Sequence, residues 1–248
     1  VTTPDHPLAI HAHPTAGEMG AAAAAAAAQT LRAAIAERGG ARLMLAAAPS
    51  QSATLHALVT AEDLDFSVID CFHMDDYIGL SPSAPQGFGN WLQRELFDHV
   101  APRSFHRIDV TAQPEAAAAA YRAVMGEELF DVTLCGLGVN GHLAFNDPPA
   151  DLADPLSARV VELDLVSRRQ QVDEGHFPSV DAVPAHAITV TIPRLLAARR
   201  IVASVPTAVK RQAVHDAVNQ PISGAHPGTA LRTHPDAHLF VDAEADPR

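Results

Sequence analysis

Apolar and polar positions fall into alternating blocks along the chain, helix-like segments taking turns with short apolar runs. Thr15 to Arg38 is alanine-rich with strong helix propensity, and Gly39-Gly40 ends it. Arg42 to Ala48 is a short apolar run that predicts a buried strand. Ser50 reads as the N-cap of a helix reaching about Thr60. Phe66 to Phe72 is β-branched and aromatic, a strand pattern. Phe88 to Val100 has helical spacing, with Trp91, Leu92, Leu96 and Phe97 apolar. Pro114 to Leu129 reads as a helix with proline at its start. Asp131 to Gly136, Ala187 to Ile192, Arg200 to Ser204 and Ala237 to Val241 read as further strands, with a helix over Ala208 to Val218.

Strands alternating with helices predict parallel crossovers. The expected fold is α/β: a doubly wound, mostly parallel sheet with helices on both faces, in a single domain over residues 1–248. In such sheets ligands bind beyond the carboxyl ends of the strands. The loops after Ala48, Phe72, Gly136 and Ser204 are therefore the places to look for chemistry.

Composition narrows the function classes. The chain is 48% hydrophobic and 19% charged, a globular balance. With 29 acidic and 17 basic residues the formal net charge is −12, which opposes broad contact with nucleic-acid backbones. Lys210 is the only lysine, so there is no polybasic segment for a membrane surface. No apolar run is long enough to span a bilayer, and the N-terminus lacks the basic-then-apolar pattern of a secretory signal. Cys71 and Cys135 lie in apolar runs and read as reduced, buried thiols of a cytoplasmic protein. His6, His11 and His13 are the one tight histidine cluster; with no CxxC or HExxH companion they read as a solvated terminus, and no metal site is expected.

Three of the loops carry informative residues. His73 to Leu80 (HMDDYIGL) places Asp75 and Asp76 side by side after a strand. Neighbouring side chains of an extended segment point to opposite sides, so at most one of the pair faces a pocket. A single carboxylate shielded from water has a raised pKa and can act as a base near neutrality. In Cys135 to Pro149, Gly136, Gly138 and Gly141 match the letters of the GxGxxG dinucleotide fingerprint. That fingerprint needs a helix opening at the third glycine, and Pro148-Pro149 would break one, so no nucleotide cofactor is expected. The glycines instead allow close backbone approach to a small ligand. His142, with Asp147 five residues on, suits an imidazole oriented by a carboxylate. Lys210 falls near a helix N-terminus, where a lysine opposes the helix dipole unless an anion binds there.

Together these segments resemble the glucosamine-6-phosphate deaminase/isomerase family, which is related to the 6-phosphogluconolactonases. HMDDYIGL is similar to the family's N-M-D-E-Y-x-G-L, and GLGVNGHLAFNDP to its G-x-G-x-[DN]-G-H-I-x-F-N-E-P. Pro85 to Phe88, Leu96 to Val100 and Ala230 to Pro235 carry further likeness, from about residue 15 to 242. The resemblance implies a Rossmann-like fold of sugar-phosphate isomerase type and an amino-sugar phosphate isomerase/deaminase. Such an enzyme converts glucosamine 6-phosphate, or a close epimer, to the ketose phosphate and ammonia. It implies that Asp75 moves a proton between C2 and C1 and that His142 opens the sugar ring. Asn140 and Asp147 would support His142, and Lys210 and Arg169 (or Arg168 beside it) would bind phosphate. No metal and no cofactor is implied; the expected partner is a small sugar phosphate, and a homo-oligomer stays open.

The chain also departs from the pattern. Asp147 stands where relatives usually carry Glu, which could draw the carboxylate away from His142 by about a bond length. Ala46-Ala47-Ala48-Pro49-Ser50-Gln51-Ser52 replaces the glycine-rich phosphate loop of many relatives. Ser50 and Ser52 could supply hydroxyls and helix N-terminal amides in place of the glycine backbone. The alternatives are a sugar-phosphate lactonase, whose usual Asp-Glu-Arg and G-x-D-G-H-T are missing, and a non-catalytic sugar-phosphate sensor. For the sensor, no DNA-reading segment is visible.

Overall fold

The computed structural model describes residues 4–248. In chain order the elements are β1 (Ala9–His13), α1 (Ala16–Arg38), β2 (Ala41–Leu45), α2 (Ser52–Val59), β3 (Ile69–His73) and β4 (Asp75–Tyr77). Then come α3 (Phe88–Leu92), β5 (Ser104–His106), α4 (Pro114–Met125), β6 (Phe130–Cys135), β7 (Ala158–Glu162) and α5 (Leu165–Asp173). The chain closes with β8 (His186–Val190), α6 (Ile192–Leu195), β9 (Ala198–Val205), α7 (Arg211–Asn219) and β10 (Ala237–Asp242).

Seven strands form one parallel sheet in the order β1-β10-β9-β6-β2-β3-β5. The period of two sends Leu43, Leu45, Val132 and Leu134 to one face and Met44, Cys135, Ile201 and Leu239 to the other. The first face packs against α1 and α2, the second against α4 and α7, so the sheet is doubly wound as expected. Alanines dominate the buried stripe of α1 and let it lie close to its neighbours. At Gly20 a β-carbon would come within 2.6 Å of Ala53, so α1 and α2 nearly touch. β2, β3 and β5 run outward in one direction, and β6 returns to the other side of β2. The gap beyond the ends of β2 and β6 is thus a topological switch point.

Several elements differ from the sequence expectation. Ala187 to Ile192 does not join the parallel sheet; β8 lies in a separate antiparallel sheet, order β4-β8-β7. Ser50 is not an N-cap: Pro49–Gln51 makes a 3-10 turn, because proline takes its N1 position, and α2 begins at Ser52. Phe66–Val68 is also a 3-10 turn, with Asp65 accepting from Ser67 N–H, and the strand starts only at Ile69. The predicted helix over Phe88 to Val100 splits into α3 and a π turn, Gln93–Phe97.

The N-terminal histidines also sit differently. His11 and His13 belong to β1 at the sheet edge rather than to a solvated terminus. His11 hydrogen-bonds His238 (2.9 Å) and stacks on Phe240, which ties β1 to β10. Among the described residues no helix is long and apolar enough to cross a membrane.

Candidate active site

A cleft opens at the switch point. The loops after β2, β3, β6 and β9, which the sequence marked for chemistry, all reach it. Its lining includes Ala46 to Ala48, Ser50, Gln51, Asp75, Gly136 to Gly138, His142, Gln170, Gln171, Glu174 and Lys210.

The adjacent carboxylates separate as the strand geometry requires. β4 pairs with β8, Asp75 opposite Thr189 and Asp76 opposite Ile188. Asp75 lines the cleft. Asp76 faces away and accepts backbone N–H bonds from Tyr77 (2.8 Å), Phe88 (2.9 Å) and Gly89 (3.0 Å), anchoring the start of α3. Asp75 is buried, and burial, reinforced by the neighbouring Asp76 charge, raises its pKa well above the usual carboxylate range.

His142 sits in a turn closed by Gly141 N–H to Gly138 C=O (2.9 Å). Gly141 has φ of +82°, so its freedom serves the turn; it does not line the cleft. No helix follows it, in keeping with the rejected nucleotide fingerprint. His142 Nδ1 meets Asp147 Oδ1 at 3.0 Å. Asp147 is further held by Asn140 Nδ2 (3.1 Å), by the Asp164 N–H (3.0 Å) and by the Ser167 hydroxyl. The shorter aspartate therefore reaches the imidazole without the displacement its length suggested. Burial alone would raise the Asp147 pKa, but hydrogen bonds from His142, Ser167 and Asn140 outweigh it and hold the group well below its ordinary value. With Nδ1 directed at Asp147, Nε2 is the ring edge left for a ligand.

Lys210 ends the 3-10 turn that precedes α7 and is almost fully buried. Burial lowers its pKa, partly offset by Glu174, whose Oε1 lies 3.8 Å from Nζ. Ser50 lines the cleft, its hydroxyl accepting from Gln51 Nε2 (3.1 Å). Ser52 does not line it; it is the first residue of α2. Arg169 is exposed on α5 outside the cleft, and Arg168 is occupied with Val180 C=O (2.7 Å) and Val183 C=O (3.0 Å). Neither arginine stands with Lys210.

Helix α5 is where the sequence pattern was silent. Its buried positions are Ser167, Gln170 and Gln171, which face the site rather than an apolar core. Ser167 Oγ lies 2.9 Å from His142 Nδ1. Gln170 accepts from Val139 N–H (3.0 Å), and Gln171 accepts from the Tyr77 hydroxyl (2.7 Å). One wall of the cleft is thus a polar helix tied to the His142 loop through Val139 and to the Asp75 segment through Tyr77.

The sequence model of the glucosamine-6-phosphate isomerases/6-phosphogluconolactonase family matches residues 14–239. The chain belongs to this family.

Among curated members, a glucosamine-6-phosphate deaminase of Hahella chejuensis is 34% identical over 187 residues, covering 74% of this chain and 70% of that protein. One from Lactobacillus delbrueckii is 30% identical over 207 residues, covering 83% and 87%. Among solved structures, a monomeric glucosamine-6-phosphate deaminase superposes with a TM-score of 0.85 at 28% identity, covering 96% of this chain and 98% of that one. A 6-phosphogluconolactonase of Shewanella baltica shares the fold, with a TM-score of 0.78 at 17% identity over 97% and 100% of the chains.

Proposed function

We propose that this protein is an amino-sugar phosphate isomerase/deaminase acting on glucosamine 6-phosphate. The observation that carries this reading is the meeting, in one cleft, of a buried carboxyl of raised pKa, an oriented imidazole and a buried lysine. Family membership supports it, as do the members named glucosamine-6-phosphate deaminase.

Each group has a step to perform. His142, through Nε2, takes the proton from the sugar O1 and returns it to O5, which opens the ring; Asp147 stabilises the imidazolium formed between. Asp75 removes the C2 proton of the open-chain aldose and delivers it to C1. Its raised pKa suits a group that must both take and give a proton near neutrality. The C2 amine then becomes a ketimine, and water adds to it, releasing ammonia and leaving the ketose phosphate. Lys210 holds the phosphate, with backbone amides and the Ser50 hydroxyl at the start of the neighbouring turn. None of these steps draws on a metal or an organic cofactor.

The test is to incubate the protein with glucosamine 6-phosphate and with 6-phosphogluconolactone, measuring ammonia, ketose phosphate and ring hydrolysis. Ammonia and ketose phosphate in equal amounts are expected. Lactone hydrolysis without ammonia would overturn the reading.

A further inference from the structure

One acidic side chain in the cleft has no part in the chemistry above. Glu174 follows α5 and lines the same wall as Gln170 and Gln171. Its Oε1 stands 3.8 Å from the Lys210 ammonium and accepts a 2.7 Å hydrogen bond from Gln170 Nε2. Its Oε2 faces His176 Nε2 at 3.8 Å. Because Gln170 is fixed at its other end by Val139 of the His142 loop, the carboxylate is positioned by the catalytic frame. It is not a loose surface acid: only 22% of its side chain is exposed.

A carboxylate there opposes phosphate binding. Among the described residues Lys210 is the only lysine or arginine lining the cleft, and Glu174 offsets its charge at close range. A phosphate on Lys210 meets the Glu174 charge within a few ångströms, where like charges repel strongly in a half-buried site. A ligand whose ammonium reaches the Glu174 carboxylate relieves that repulsion. A purely anionic sugar phosphate does not.

We propose that Glu174 is a specificity-determining residue that makes the cleft select zwitterionic amino-sugar phosphates over sugar phosphates lacking the amine. This inference rests on the sugar-phosphate reading above. The selection works by repelling the wrong ligand rather than by adding a contact to the right one.

Glu174→Gln removes the charge while keeping the shape and the acceptor for Gln170. Binding of glucosamine 6-phosphate and of glucose 6-phosphate, its amine-free analogue, is measured by calorimetry on the full chain. The Asp75→Asn background prevents turnover. The preference for the amino sugar should fall about tenfold in Glu174→Gln, the order expected for one partly buried charge. Glu174→Asp, which keeps the charge, should retain the preference. A role in packing alone would weaken both ligands together. A preference unchanged in Glu174→Gln, or lost equally in Glu174→Asp, overturns the proposal. If neither ligand binds with Glu174 intact, the sugar-phosphate reading itself fails; if both bind and only the selectivity is unmoved, the role of Glu174 alone fails.

Discussion

The imidazole of His142 lies against the α-carbon of Gly138, so close that a β-carbon there would fall 2.3 Å from ring atoms Cε1 and Nε2. Asp147 and Ser167 hold its Nδ1 edge, so the ring cannot shift that way without losing them. Gly138→Ala should therefore push the imidazole from its working position and lower kcat by about 10²-fold, the usual result of a misplacement near 1 Å. Circular dichroism should stay that of the parent. A variant with full activity would remove His142 from the proposed mechanism.

Asp75→Asn should lower kcat by about 10²–10⁴-fold, the contribution of a positioned general base. It should also stabilise the protein. The folded-state pKa of Asp75 is raised, so its stabilising contribution is complete below the unfolded value of 3.8 and is lost as pH rises through the folded value. Asparagine has no such loss. The Tm difference between Asp75→Asn and parent should thus grow from pH 5 to pH 8. A difference that shrinks with rising pH would contradict the raised pKa.

Asp76 predicts the reverse pattern. Asp76→Ala leaves three buried N–H groups, those of Tyr77, Phe88 and Gly89, without their acceptor. Stability should fall by about 1–3 kcal/mol in urea unfolding. The loss of kcat in the folded fraction should be much smaller than for Asp75→Asn. Equal activity losses in the two variants would sink the division of labour between the neighbours.

Asp147→Asn should cost about 10²-fold or more in kcat, by releasing the imidazole tautomer that points Nε2 at the cleft. Because the Asp147 pKa is depressed on folding, its stabilising contribution is present above the unfolded value of 3.8 and is lost as pH falls through the lowered folded value. Ser167→Ala, which removes a second partner of both residues, should cost about tenfold. Steady-state kinetics at pH 7 decides both; an unaffected Asp147→Asn would leave His142 without its orienting group.

Phosphate binding separates two residues that the family pattern groups together. Lys210→Ala should raise KM about 10- to 100-fold, as expected for loss of a buried charge-assisted contact. Arg169→Ala should leave KM within about twofold, since Arg169 is exposed and outside the cleft. A large KM effect at Arg169 and none at Lys210 would invert the assignment.

Much of this was legible along the chain. The strands β2, β3, β6, β9 and β10 show as short apolar runs, and their alternation with helices predicts the parallel sheet. The His142 loop is recognisable from its glycines and from Asn140, His142 and Asp147. Helix α5 was not legible. Its inward residues are serine and glutamines, which leave no apolar periodicity to detect, yet they form a wall of the cleft. β1 was missed because its histidines look polar, although they pack on His238 and Phe240.

The sequence by itself determined the class of fold, the loops that carry chemistry and the separation of Asp75 from Asp76, since each follows from local periodicity. Only the tertiary structure decided which charges meet. It placed Lys210 against Glu174, left Arg169 outside, and closed the gap to Asp147 with Ser167 and Asn140. The physical reason is that periodicity is a property of neighbours along the chain. Electrostatic pairing depends on distances set by how separate elements pack.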